Sequence, residues 1–217
     1  MPLLTQKDRI VFFIHIPKTG GSYIEETARQ NGWDVQFIVN GINAKKLDFM
    51  PVSPQHFHAE LYEKIFKLEK KIEIFTIVRH PFDRLKSEYY WQYKQGISYL
   101  KPDEWISFIF KEYHKNPSAY DNHIRLQTEF IPSFADCFIF KLENEGIVNA
   151  LNYLGLNKQN NLIKKALGYI RAGNSDKLKV SNYLAEIEDI FAKRRDDIEQ
   201  FYIADMNRFG YNISKKP

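Results

Sequence analysis

Two stretches of the chain combine a continuous apolar run, a polar loop and then a helical pattern. The apolar runs cover residues 10–16 and 72–78. Continuous apolar runs of this length are typical of parallel strands that are buried on both faces. Apolar residues recur at helical spacing from Ser22 onward, and again from Pro81, a residue favoured in the first turn of a helix, to about Tyr93. The sequence therefore predicts two strand–loop–helix units.

Weaker patterns predict further elements. "WDVQFIVNG" and Cys137–Leu142 indicate two more strands, and "VSPQHFHAELYEKIFKLEKK" indicates a loop followed by a helix. Beyond residue 180 the apolar positions fall on one helical face, which ends at Gly210. Strands that alternate with helices predict an α/β fold with a parallel sheet and a helix-rich C-terminal half. A length of 217 residues suits a single domain, 1–217.

Composition limits the classes of partner. The chain is 44% hydrophobic and carries 31 Lys+Arg against 27 Asp+Glu, a net charge of +4. This charge suits an anionic ligand but is too weak and dispersed to indicate nucleic acid. The single cysteine, Cys137, excludes an internal disulfide and is predicted to fill the core. No apolar run approaches a membrane span and none at the start suits a signal peptide, so we expect a soluble, cytoplasmic protein.

The first polar loop reads Lys18-Thr19-Gly20-Gly21-Ser22. Paired glycines let backbone N–H groups approach an anion closely, and the start of the following helix adds partial positive charge. The lysine supplies a full charge, and the two hydroxyls supply donors. The loop therefore predicts phosphate or sulfate binding, with an ordinary strand-to-helix turn as the alternative. It is not a Walker A loop, because there the lysine follows the glycines.

The second strand end carries an arginine and a serine. Arg79 follows the strand directly, and Ser87 lies two turns into the next helix. Arg79 can hold a phosphate through two N–H groups while Ser87 donates from the side. The alternative is a surface ion pair of Arg79 with Asp83 or Glu88. Two such strand ends predict a ligand with two separated anionic groups.

Together these segments resemble the two nucleotide-binding motifs of the sulfotransferases. "HIPKTGGS" is similar to the 5′-phosphosulfate loop, and "VRHPFDRLKSEYY" to the 3′-phosphate motif, of carbohydrate sulfotransferases, the group that includes heparan sulfate 2-O-sulfotransferase. "DNHIRLQTEFI", "FKLENEGIVNALNYLGL" and "DIEQFYIADMNRFGY" also resemble bacterial members of that group. The resemblance covers roughly residues 10–211.

The resemblance implies a P-loop-like three-layer sandwich without nucleotide hydrolysis or a required metal. It implies 3′-phosphoadenosine 5′-phosphosulfate (PAPS) as the donor and a carbohydrate hydroxyl as the acceptor, in a bacterial cytoplasmic enzyme that acts on a glycan. The residues implied to hold the 5′-phosphosulfate are Lys18, Thr19, Gly20, Gly21 and Ser22. Arg79 and Ser87 are implied to hold the 3′-phosphate.

Sulfuryl transfer to a hydroxyl needs a base, and histidine suits neutral pH. His56 and His58 stand just before a helix, and the uronic-acid 2-O-sulfotransferases carry a similar His-x-His. We favour His56, because it lies in the loop whereas His58 can already belong to the helix. The alternatives are two surface histidines or a metal-binding pair. No third metal ligand is identifiable, so we predict no metal site.

Other polar residues are weaker candidates. His123 and Arg125 are predicted to line the acceptor or donor site, with surface salt bridges as the alternative. The polar loop that contains Arg171 and Ser175 is predicted to fold over the nucleotide. Three rival functions stay open: a P-loop-type kinase or NTPase, a nucleotide-binding module without catalysis, and a basic protein that binds sulfated glycans. The kinase would require magnesium ligands and a Walker-type lysine.

Overall fold

A five-stranded sheet forms the centre of the protein. The computed structural model describes residues 1–38, 49–66, 72–133, 135–156 and 181–213. The strands are β1 (Leu3–Gln6), β2 (Arg9–Ile14), β3 (Asp34–Gln36), β4 (Glu73–Val78) and β5 (Phe138–Lys141). Their order across the sheet is β3-β1-β2-β4-β5. β4 is parallel to β2 and to β5, whereas β1 is antiparallel to β2 and β3. The predicted α/β fold is confirmed, with a sheet that is parallel in its middle and antiparallel toward β3.

Helices flank the sheet and make up most of the second half of the described chain. They are α1 (Gly21–Gln30), α2 (Ala59–Ile65), α3 (Pro81–Gln95), α4 (Pro102–Lys115), α5 (Gly146–Tyr153), α6 (Ser181–Lys193), α7 (Arg195–Phe201) and α8 (Ile203–Phe209). Short 3-10 turns cover Pro54–His56, Gln127–Phe130 and Leu142–Asn144. Among these helices, none is long and apolar enough to pass through a bilayer.

The described C-terminal region forms three consecutive helices, whereas the sequence pattern predicts one continuous helical face. Arg194 separates α6 from α7, and Tyr202 separates α7 from α8. Tyr202 is fully buried, and its hydroxyl donates to the carbonyl of Ile124 over 2.7 Å, which fixes the second junction. Gly210 ends α8 in the left-handed conformation, as predicted.

The sequence analysis missed β1. This strand has only four residues, and its turn into β2 uses Lys7 at a φ of 54° where a glycine would normally signal a hairpin. The buried Leu4 pairs with Val11 and adds one row to the core.

Side chains alternate between the two faces of β2 and β4, which makes three layers. On one face Phe13 and Phe75 pack with residues of α1 and α5. On the other face Phe12 and Ile14 pack with residues of α2 and α8. Cys137 packs partly buried against this second cluster, and burial raises the pKa of its thiol to about 12. The predicted three-layer sandwich is thus confirmed, and a third apolar cluster joins α3, α4, α6 and α7.

Candidate functional site

The loop after β2 has a backbone conformation that can accommodate an anion. Lys18 and Gly20 both lie in the left-handed region, with φ of 68° and 92°. Thr19 is buried, and its hydroxyl donates to the carbonyl of Ile16 over 2.8 Å, so it tightens the loop. Helix α1 begins directly after Gly20, and the first N–H groups of a helix have no acceptor within it. Lysine, helix start and the exposed Ser22 therefore stand together at the end of β2.

His15 fills the space beneath this loop. Its Nδ1 bonds to Glu25 of α1, and the second oxygen of Glu25 accepts from Nε2 of Gln55 over 2.8 Å. A Cβ atom at Gly21 would lie 2.4 Å from Cδ2 of His15, so only glycine allows α1 to start against the ring. Gln55 precedes His56, so these bonds connect the loop to the segment of the candidate base.

Arg79 stands at the end of β4, beside the first loop, because β2 and β4 are parallel neighbours. Its backbone is clamped by Gln127, which accepts from its N–H over 3.0 Å and donates to its carbonyl over 2.8 Å. Asp205 of α8 holds the backbone N–H of Gln127 at 2.9 Å. The guanidinium of Arg79 donates to the carbonyl of Lys18 over 3.3 Å, which joins the two strand ends.

Arg79 does not form the ion pair that the sequence left open. Within the described ranges, neither Asp83 nor Glu88 makes a salt bridge with it. Glu88 instead pairs with His123 and accepts from the amide of Gln92. Burial lowers the pKa of Arg79 from its very high usual value, and the nearby carboxylate of Asp83 opposes that shift. Ser87 lies half-buried on α3, immediately before Glu88.

His56 forms a dyad with Asp121. Its Nδ1 lies 2.7 Å from Oδ2 of Asp121. The hydroxyl of Ser53 donates to the same oxygen, and the backbone N–H of Ser53 donates to Oδ1. Burial and the neighbouring imidazoles of His123 and His15 lower the pKa of His56, while the bond to Asp121 opposes them. His56 is therefore held as a neutral imidazole at neutral pH.

The carboxylate of this dyad comes from a strained turn. Tyr120, Asp121 and Asn122 have φ of 54°, 54° and 64°, a region that residues other than glycine seldom occupy. Asn122 anchors the turn, because its Nδ2 donates to the carbonyl of His56 over 2.8 Å. The buried Arg84 supports the following residues through the carbonyls of His123 and Arg125. Strain of this kind is found at functional sites, which singles out Asp121.

His58 has a different environment from His56. It precedes α2, and it is buried. Its Nδ1 lies 3.1 Å from Nδ2 of Asn122, so that nitrogen accepts a hydrogen bond in the neutral ring. Burial lowers the pKa of His58 to about 4. Of the two candidate bases, the structure thus gives a carboxylate partner to His56 and an amide partner to His58.

His123 connects the candidate base to the loop after β2. Its Nδ1 lies 2.7 Å from Oε2 of Glu88, and its ring centroid lies 5.0 Å from that of His56. The centroid of the Trp91 ring lies 4.8 Å from that of His123, and Nζ of Lys18 lies 5.3 Å from the centre of the indole ring. Burial lowers the pKa of Lys18, and Glu88 opposes this shift. An unbroken series of contacts therefore runs from Lys18 to His56.

The guanidinium of Arg125 donates hydrogen bonds to neighbouring residues. The residues that accept hydrogen bonds from its guanidinium are Asn122, Glu129 and Ser118. In this conformation it supports the turn that carries Asp121. Arg171 and Ser175, the other predicted nucleotide contacts, lie outside the described residues.

Two members of the site escaped the sequence analysis. No sequence pattern points to Asp121, and Glu88 is expected only as an alternative partner of Arg79. Their partners are 65 and 35 positions away along the chain, so no spacing pattern could reveal them. The only local signal is that Asp121 and Asn122 directly precede His123.

Comparison with protein-family models gives a match to the sulfotransferase family over residues 1–212. Neither the curated proteins nor the solved structures yield a match to the chain. The family match spans both strand-end loops, the His56–Asp121 dyad, and α8, whose Asp205 holds the Gln127 that clamps Arg79. Because it extends over nearly the whole chain, the protein belongs to the sulfotransferase family.

Proposed function

We propose that the protein transfers a sulfuryl group from PAPS to a hydroxyl of a carbohydrate, with His56 as the base. The observation that carries the proposal is the contact series between Lys18 and the His56–Asp121 dyad. Sulfuryl transfer needs a cationic anion-binding loop and a proton acceptor close to one another. Family membership supplies the reaction class, and the two strand ends suit a donor with two anionic groups.

The donor would lie across the ends of β2 and β4. In this proposal the N–H groups at the start of α1, together with Lys18 and the hydroxyl of Ser22, bind the 5′-phosphosulfate. Arg79 and Ser87 bind the 3′-phosphate. The hydrogen bond from Arg79 to the carbonyl of Lys18 supports this arrangement, because it fixes the distance between the two anion sites.

The reaction would proceed by in-line transfer. The bond of Nδ1 to Asp121 leaves Nε2 of His56 as the nitrogen that takes the acceptor proton. As that proton leaves, the hydroxyl oxygen bonds to sulfur and the bond from sulfur to the bridging phosphate oxygen breaks. The products are a sulfate ester and 3′,5′-adenosine bisphosphate. Lys18 and the loop N–H groups would stabilise the charge that develops on the leaving phosphate, by analogy with phosphoryl transfer.

The carbohydrate acceptor rests on the resemblance and on one aromatic side chain. Trp105 is fully buried and donates to Gln92, so it belongs to the core. Trp91 is half-buried within the contact series, next to His123. An indole face at the edge of a site suits the apolar face of a sugar ring. We therefore expect the acceptor to bind beside Trp91, with its reacting hydroxyl near Nε2 of His56.

The first test compares thermal unfolding with 3′,5′-adenosine bisphosphate, the spent donor, and with ADP plus magnesium. A ligand at a hundred times its Kd stabilises the folded state by about 2.7 kcal/mol, which corresponds to roughly 5–10 °C for a chain of this size. We expect the shift with the bisphosphate alone. A shift with ADP and magnesium alone would refute the proposal in favour of a kinase.

A transfer assay separates the enzyme from a binding module. PAPS is incubated with a panel of glycans, and release of 3′,5′-adenosine bisphosphate is followed. Acceptor-dependent release supports the proposed reaction. Donor binding without release in any mixture would indicate a nucleotide-binding module that has lost its chemistry.

A further inference from the structure

His56, Asp121 and His123 bring three metal-ligand atoms together. One ligand atom from each side chain lies within 4.8 Å of the ligand atoms of the other two. The sequence offered only the pair His56 and His58, which lacked a third ligand. The structure replaces that pair with a set drawn from two separate segments, and His58 is not part of it.

The environment of His123 is typical of a histidine that binds a metal. Its Nδ1 lies 2.7 Å from Glu88, which leaves Nε2 for another partner. Glu88 is itself held by Gln92, and Gln92 accepts from the indole N–H of Trp105. Metal-binding histidines almost always donate the other ring N–H to a carboxylate, a backbone carbonyl or a water, because this bond fixes the tautomer and the ring orientation.

We propose that His56, Asp121 and His123 form a binding site for Zn²⁺ that competes with the base function of His56. Two imidazoles and one carboxylate, with water as a fourth ligand, are a ligand set that zinc accepts, whereas magnesium and calcium prefer oxygen ligands alone.

The rearrangement that this requires is small. Zinc bonds of about 2.0–2.1 Å place tetrahedral ligand atoms about 3.4 Å apart. The bond of 2.7 Å between His56 and Asp121 must open, and the wider separations, up to 4.8 Å, must close. The first change is about 0.7 Å and the second at most about 1.4 Å, distances that rotation of the side chains can cover. The side chain of Asp121 is 38% exposed, which gives an entering ion access to the cluster.

Zinc binding has a consequence for the reaction. His56 cannot accept the acceptor proton through a ring nitrogen that is bonded to zinc. If zinc draws Asp121 away from His56, the imidazole also loses the carboxylate that orients it. Zinc should therefore inhibit sulfuryl transfer reversibly, and a chelator should restore it. The inhibition rests on the proposed function, whereas zinc binding itself does not.

The test is titration of the full chain with ZnCl₂, and separately with MgCl₂, by isothermal calorimetry. We expect one zinc per chain and no heat from magnesium. His123→Ala and Asp121→Asn should each weaken zinc binding by about 100-fold or more, and Glu88→Gln by about 10- to 100-fold. His114→Ala is the matched control, because His114 lies beside Tyr113 and Phe201, outside the cluster, and it should leave zinc binding unchanged. Circular dichroism without metal establishes that each variant is folded.

Cobalt adds a readout that does not depend on activity. Co²⁺ in place of zinc should give the visible absorption of a four-coordinate ion, and His123→Ala should abolish that band. Absence of zinc binding would overturn the site. So would zinc binding by His123→Ala and Asp121→Asn that is as strong as in the unchanged protein. Zinc that binds at the cluster and leaves measurable transfer unaffected would overturn the inhibition and would also contradict His56 as the base.

Discussion

Nδ1 of His56 lies 2.7 Å from Oδ2 of Asp121, a residue 65 positions further along the chain. The bond fixes the imidazole with Nδ1 toward the carboxylate, so Nε2 is the nitrogen left for the acceptor hydroxyl. Ser53 binds the same carboxylate through its N–H and its hydroxyl, which restricts Asp121 to this orientation. A carboxylate in this position makes the imidazole a stronger and better oriented base.

Asp121→Asn should lower kcat by about 10- to 100-fold, a part of the 10²–10⁴-fold effect of general acid–base catalysis. Donor affinity should stay unchanged. Asp121 raises the pKa of His56, so its loss should move the acidic limb of the pH–rate profile to lower pH while the plateau falls. The control is Asp103→Asn at a surface salt bridge with Arg194. An unshifted limb with full activity would refute the dyad.

His56→Ala should abolish measurable turnover and leave binding of 3′,5′-adenosine bisphosphate nearly unchanged. The reason is that the imidazole would act on the acceptor proton, whereas the donor would be held at the ends of β2 and β4. Steady-state kinetics and nucleotide titration are measured on the same preparation, with His114→Ala as the control. Loss of both properties, or of neither, would contradict the assignment of the base.

Arg79→Ala should weaken binding of 3′,5′-adenosine bisphosphate by about 10- to 100-fold. This is the loss of affinity expected when a hydrogen bond to a charged group is removed. Binding of AMP, which lacks the 3′-phosphate, should change little. Both affinities are measured by calorimetry, with Arg29→Ala, an exposed arginine paired with Glu26, as the control. An equal loss for the two nucleotides would show that Arg79 does not distinguish the 3′-phosphate.

Gly21→Ala should remove donor binding, because the new Cβ would lie 2.4 Å from the ring of His15, which Glu25 holds in place. The control is Gly155→Ala. Gly155 has a φ of 77° and no atom within 4 Å of a Cβ, so this change should cost about 1–2 kcal/mol of stability and leave donor binding intact. Unimpaired nucleotide binding by the Gly21 variant would place the donor elsewhere.

His58→Asn should flatten the dependence of the unfolding free energy on pH. Burial lowers the pKa of His58 to about 4 in the folded state, against about 6.5 in the unfolded chain. Between these values the unfolded chain binds more protons, so stability falls as pH decreases from about 6.5 to 4. Urea unfolding across this range should show a slope smaller by up to about 1.4 kcal/mol per pH unit in the variant. An identical slope in both proteins would show that His58 is not held neutral.

The strand–loop–helix units could be predicted because their signals are local. A continuous apolar run, a break at proline or glycine and a helical repeat all lie within about twenty residues of one another. The residues at these strand ends were therefore identifiable as anion-binding candidates from the sequence alone. Their joint placement also follows, because the carboxyl ends of neighbouring parallel strands meet at one edge.

The dyad could not be predicted in the same way. Its two members come from segments with no common repeat, and the turn that presents Asp121 contains no glycine to signal a positive φ. β1 was missed for the same physical reason, since Lys7 makes its turn in the left-handed conformation. In both places tertiary contacts, rather than local preference, fix the backbone.

The left-handed turn at residues 120–122 lowers the stability of the folded protein, but it also places the carboxylate that the proposed base needs. Each such residue costs on the order of 1–2 kcal/mol relative to an unstrained backbone, and glycine would relieve much of that cost. Glycine at Tyr120 would keep the dyad but lose the packing of the ring against the third apolar cluster, whereas glycine at Asp121 would remove its carboxylate. A search for more heat-resistant variants that ignored turnover would select the change at Asp121 wherever relief of the backbone strain exceeds the cost of the hydrogen bonds lost with the carboxylate, and the resulting protein would lack the partner of its base.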